Sequence, residues 1–194
     1  MFTRKKVLNI VLCVVTVCSA LSATAMASGS DKKTLEISLD RGRTTALIAD
    51  QVRHQLVMLP YYSVFDWLEA EVLPDDTVVL RGQVTQPTTK SDAEARVRSL
   101  ESVAKVVNEI EVLPASPSDD QIRRAMYRAI FNYNSPLFQY SIRAVPPVHI
   151  IVKNGHVTLK GVVATDMDRQ LAYMAANGVP GVFEVKNDLT VENS

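Results

Sequence analysis

VVLRGQV, running from Val78 to Val84, is matched by VTLKGVV from Val157 to Val163 at a constant separation of 79 positions. The same separation pairs Val103, Val106, Asn108, Ile110 and Val112 with Val182, Val185, Asn187, Leu189 and Val191, so 35 residues stay in register without a gap. Repetition at this length means that one structural unit occurs twice. Upstream, Asp50-Gln51-Val52-Arg53 answers Asp120-Gln121-Ile122-Arg123 at a separation of 70, which leaves about nine extra residues in the second copy ahead of its Gly-containing strand. Units of roughly 70 to 75 residues are large enough to fold alone, though only marginally.

Working outward, each unit reads in the same order. Ile48, Val52, Leu56 and Leu59 recur at helical spacing, as do Ile122, Met126 and Ile130 with Ala125 and Ala129 beside them, so each unit opens with an amphipathic helix. Leu68, Ala70 and Val72 alternate before the Pro74-Asp75-Asp76 turn, and Asn154-Gly155 separates two apolar runs, a strong hairpin signal that pairs Lys153 with His156. A second helix is expected near Ser91, where Ser91 and Glu94 form a capping box, and Thr165 with Asp168 suggests a related cap in the second copy. A last strand, 106–112 or 185–191, closes each unit. The expectation is therefore an α+β fold of two tandem α-β-β-α-β units, each a three-stranded sheet with two helices on one face and a core of its own. The first unit is placed at 43–114 and the second at 119–192, with 115–118 as a short, proline-stiffened linker.

The start of the chain is set apart from the fold. Arg4, Lys5 and Lys6 precede an apolar stretch from Val7 to Leu21, and Ala25-Met26-Ala27 supplies a small-x-small cleavage pattern, so residues 1–27 read as a secretory signal peptide. An uncleaved anchor is the alternative; lipidation at Cys18 is disfavoured by Val17 before it. Removing 1–27 takes away three bases and no acid, so 21 against 21 becomes 18 against 21. A slightly acidic exported chain is no general nucleic-acid binder. Both cysteines, Cys13 and Cys18, leave with the signal, which removes thiolate nucleophiles, Cys-zinc sites and disulfides together.

Nothing in the sequence assembles a catalytic group. His149 and His156 are expected as partly exposed strand residues at opposite ends of a hairpin, too far apart to share an ion, with His149 across from Lys160. Asp75-Asp76 and Asp119-Asp120 fall at a turn and a helix start, where carboxylates are favoured without chemistry. No phosphate loop, nucleophile elbow or His-Glu-x-x-His helix is present, so neither a metal nor a cofactor is expected. Gly82 and Gly161 read as structural, marking a bulge or the close approach of a helix. Asn108 and Asn187 read as structural too, their amides satisfying loop backbone. Tyr61, Tyr62, Phe65 and Trp67 read as a core rim.

One surface feature remains. At 100° per residue, Arg124, Tyr127, Arg128 and Phe131 fall opposite the core side of their helix, giving a basic and aromatic stripe suited to lipid phosphates and the headgroup boundary. The alternative is that Tyr127 and Phe131 pack against the first unit or against residues 133–147, with the arginines merely solvated.

The tandem resembles BON domains, small modules of bacterial envelope proteins that often occur in pairs behind a signal sequence. The residues that carry the likeness are Leu80-x-Gly82 and Leu159-x-Gly161, then Gly181-Val182 leading to Val185-x-Asn187-x-Leu189-x-Val191. Val103, Val106, Asn108, Ile110 and Val112 repeat them in the first copy, where Ser102 replaces the loop glycine. The resemblance implies a non-enzymatic periplasmic protein that binds anionic phospholipid or another envelope surface, with roles in envelope integrity or osmotic stress. The alternative it implies is a chaperone whose partners are exported client proteins.

Overall fold

In the computed structural model, which describes residues 29–143 and 146–192, the two Gly-containing segments are the middle strands of two separate sheets. The expected signal segment lies outside the described residues. The first unit runs α1 (Gly29–Val57), β1 (Trp67–Val72), β2 (Thr77–Val84), α2 (Pro87–Arg98), β3 (Lys105–Asn108) and β4 (Glu111–Val112). The second runs α3 (Pro117–Ile130), α4 (Phe138–Ser141), β5 (Val148–Lys153), β6 (His156–Val163), α5 (Asp166–Asn177) and β7 (Glu184–Val191). Each sheet pairs its hairpin antiparallel and then adds the last strand parallel to the middle one, at the same offset of 28 in both: Val78 faces Val106 and Val157 faces Val185. The first unit's last strand is broken into β3 and β4 around Glu109 and Ile110, yet Gln83 still faces Glu111 at the same offset.

Two buried clusters form the cores. Ile48, Val52 and Leu56 of α1 meet Val78, Leu80 and Val84 of β2 and Ala93 and Val97 of α2. Ile122, Met126 and Ile130 of α3 meet Val157, Leu159 and Val163 of β6 and Ala172 and Ala176 of α5. The hairpin of the second unit closes as the sequence demands, with Asn154 at φ 51° and Gly155 at φ 78° and Lys153 facing His156.

Local boundaries differ from expectation in two places. α2 begins at Pro87 rather than near Ser91, because proline fits the first helical position; Ser91 Oγ, inside the helix, donates to the carbonyls of Pro87 and Thr88 instead of capping it. Glu94 accordingly pairs with Arg98 and Asn108. α3 begins at Pro117 for the same reason, with Ser116 as N-cap accepting from the Asp119 amide at 3.2 Å, so half of the stretch expected as linker is helix. Thr165 caps α5 as its sequence suggests, accepting from the Asp168 amide.

The outer faces of the two sheets, which in an isolated unit would meet water, are turned toward each other. Lys153 of β5 reaches Glu111 of β4 at 2.5 Å and Lys160 of β6 reaches Glu69 of β1 at 3.5 Å. Between them Trp67 and Tyr62 pack on His149, and the Ile150 amide donates to the Val64 carbonyl at 2.7 Å. Val79 and Ile151 point away from their own helices and are nonetheless buried. The ion pairs are half exposed and contribute little stability; desolvated rings and aliphatics carry this contact.

Candidate functional site

The stripe on α3 starts from how that helix is anchored. Asp119 is fully buried, and its two carboxylate oxygens accept the amides of Asn154 and Gly155, each at 2.9 Å. Arg123, also buried, donates to the Val152 carbonyl at 2.8 Å and to Asp120 at 2.5 Å. The first turns of α3 are thereby clamped onto the β5–β6 hairpin, and with Ile122, Met126 and Ile130 inward, Arg124 and Arg128 must face out. Both are exposed, and among the described residues neither has an ion-pair partner.

Tyr127 is 37% exposed and lies over Phe65 of the first unit at 6.4 Å between ring centroids. Phe131 is a correction: it is buried in the second core, not part of an outer stripe. It is the C-cap, at φ −98° and ψ 37°, so the chain has already left helical geometry and extrapolation at 100° per residue fails there. Its ring instead supports Tyr127 from behind at 5.1 Å. The surviving residues, Arg124, Tyr127 and Arg128, join Phe65 around a shallow hollow of about 240 Å³.

The aromatic cluster of the first unit does not stay together. Tyr61 is exposed, Tyr62 packs on the first core, Phe65 on the second, and Trp67 on His149. Burial pushes the Tyr62 hydroxyl up to about 12, so it stays neutral. His149 is the second correction: it is buried, because the outer face of its sheet is covered by the other unit. Its Nδ1 has no hydrogen-bond partner among the described residues, and burial holds its pKa below the ordinary value. His156 remains exposed beside Glu184 at 3.3 Å.

The glycines and asparagines build the frame. A Cβ on Gly82 would stand 1.9 Å from the Trp67 carbonyl oxygen, and one on Gly161 2.0 Å from that of Pro147, with φ at 129° and 118°. The close neighbour is thus the adjoining strand or the residue leading into it, not a helix. Asn108 donates to the Lys90 carbonyl and accepts from the Ile110 amide; Asn187 does the same with Arg169 and Leu189. Each ties the helix that follows the hairpin of its unit, α2 or α5, to the last strand.

A pair of clamped sheets and an exposed basic and aromatic helix face make up the candidate surface. The sequence matches the BON domain over residues 44–114 and again over 118–193, and the chain belongs to the BON-domain family as a tandem pair. BON domains are in general non-enzymatic binding modules that bind phospholipid or membranes in envelope proteins, and their carriers are typically periplasmic or envelope-associated. Among the described residues, no helix is long and apolar enough to cross a membrane. No curated protein matches the chain. Among solved structures, it overlaps CdsD, a structural protein of the type III secretion system of Chlamydia trachomatis, at 14% identity and a TM-score of 0.29, covering 75% of this chain and 92% of that one. The C-terminal domain of CdsD gives 13% and 0.29, covering 74% and 96%. These overlaps are too loose to bear on function.

Proposed function

We propose that the chain is a module of the bacterial envelope that binds anionic phospholipid at a membrane surface through Arg124, Tyr127 and Arg128, with Phe65 completing the contact. The observation that carries this reading is the pair of exposed guanidiniums, without carboxylate partners among the described residues, one helical turn apart beside an apolar hollow. Each cation near an anionic surface is worth about 1 kcal/mol, so two give roughly a 30-fold gain, and ring insertion supplies the rest. Binding is therefore weak, reversible and salt-sensitive, and the acidic balance of the exported chain opposes it. Export behind residues 1–27 puts this surface in the periplasm, where it serves envelope integrity under osmotic stress.

A second reading, a chaperone for exported proteins, draws on the exposed Met167, Met174 and Phe183 of the second unit. Co-sedimentation with phosphatidylcholine vesicles containing increasing phosphatidylglycerol, at rising salt, separates the two. Lipid binding rises with the anionic fraction, falls with salt and is lost in Arg124→Glu/Arg128→Glu with an unchanged thermal midpoint. Suppression of client aggregation that ignores salt and survives this double change is the chaperone's signature. Undiminished vesicle binding by the variant removes the α3 stripe as the site.

A further inference from the structure

A larger cleft, of about 840 Å³, opens between the units, bounded by α1 and β1 on one side and by Tyr140, Arg143, Pro146, Pro147 and the end of β6 on the other. Its walls are largely apolar: Leu56 and Val57 of α1, Leu68 and Ala70 of β1, Pro147 and Val162 of the second unit. Trp67, Tyr62 and Tyr140 add rings, and the buried His149 lines it too, its pKa held below the ordinary value by burial. Four charged side chains reach it. Glu69 is neutralised by Lys160 and accepts from the Trp67 indole, which leaves Arg53 and Arg143 against the single carboxylate of Glu192. Arg143 stacks over the Tyr140 ring at 6.0 Å, and among the described residues neither arginine has an ion-pair partner.

We infer that this cleft is a second binding site, separate from the α3 stripe, that takes one single-tailed anionic amphiphile, a carboxylate on an alkyl chain. Its volume lies within the roughly 300–1,000 Å³ of sites that enclose small ligands. The apolar walls take the tail. The excess positive charge, held on the exposed guanidiniums of Arg53 and Arg143, takes the head and discriminates against neutral amphiphiles. The site needs both units, because neither supplies both walls. It stands independently of the membrane reading, which uses the outward face of α3.

Trp67 is the single tryptophan of the chain and lines the cleft, so its fluorescence reports occupancy. The full exported chain is titrated with dodecanoate below its micelle concentration, and with dodecyl maltoside as a neutral probe of equal tail length, with calorimetry alongside. Dodecanoate gives a saturable change in Trp67 emission and binds at least tenfold more tightly than the maltoside. Arg53→Ala/Arg143→Ala removes that preference at an unchanged thermal midpoint and keeps vesicle binding. Arg124→Glu/Arg128→Glu keeps the dodecanoate titration whether or not vesicle binding depends on those arginines, so the two sites fail separately. Equal binding of the two probes, calorimetric binding that leaves Trp67 unmoved, or loss of the titration in the α3 variant overturns the proposal.

Discussion

Arg53 and Arg123 occupy the same place in the opening helices of the two units and meet opposite fates. Arg123 is buried and pinned between Asp120 and the Val152 carbonyl, whereas Arg53 is exposed in the cleft between the units. The difference lies one turn upstream and across the sheet. Asp119 grips the Asn154-Gly155 hairpin in the second unit; its counterpart in the first is Ala49, and the Pro74–Asp76 turn closes on itself, with Asp75 accepting the Thr77 amide. One scaffold thus uses the same arginine for architecture in one copy and leaves it exposed in the other. The outer stripe diverges likewise: Arg124, Tyr127 and Arg128 align with His54, Val57 and Met58, so only the second unit presents paired cations.

What the units share should be equally costly to remove from either. Gly82→Ala and Gly161→Ala both drive a methyl group into a backbone carbonyl at positive φ, and backbone cannot step aside as a flexible side chain can. Each is expected to destabilise its unit by about 3 kcal/mol or more, a fall in midpoint on the order of 10 °C. Urea and thermal unfolding measure this. A mild effect at one glycine and a severe one at the other would mean that the two sheets do not rest on the same close approach.

What the units do not share should separate. Arg123→Ala leaves the Val152 carbonyl without its charged donor and a gap beneath α3, at a cost of about 2 kcal/mol. Arg53→Ala removes nothing buried and should change stability by no more than about 0.5 kcal/mol. Equal losses in the two unfolding curves would erase the distinction between an architectural and a surface arginine.

The tandem was legible because strand alternation, the Asn-Gly turn and the Thr165 cap are local, and the repeated strands carried the reading from one copy to the other. Arg124, Tyr127 and Arg128 were legible because they sit mid-helix, where the period holds. Phe131 was not, since it lies where the helix ends and the period no longer describes the chain. Arg123 carried a signal that went unused: its helical angle falls beside Met126 and Ile130, and a charge on the buried side of a helix needs a partner. Phe65 and His149 could not be read, because each is placed by packing between the units, and no local pattern encodes that.

His149 offers the finest test of that packing. Its ring lies between Tyr62 at 5.4 Å and Trp67 at 5.1 Å, opposite Lys160 on β6, whose ammonium sits over the Trp67 ring at 5.5 Å. Burial lowers its pKa, and it outweighs the carbonyls of Asp66, Ser63 and Pro146 and the Asp66 carboxylate, all of which favour the proton. Above the ordinary value of 6.5 the ring is neutral in folded and unfolded chains alike, and it contributes no pH dependence. As pH falls through 6.5, the unfolded chain takes up a proton that the folded one refuses, so stability declines until the lowered folded value is reached. Urea midpoints from pH 7.5 down to pH 5 should therefore fall in the parent and fall less in His149→Phe, which keeps a ring between Tyr62 and Trp67 without a proton to bind. Parallel curves for the two proteins would mean that the imidazole meets water in solution and that the units do not close over it.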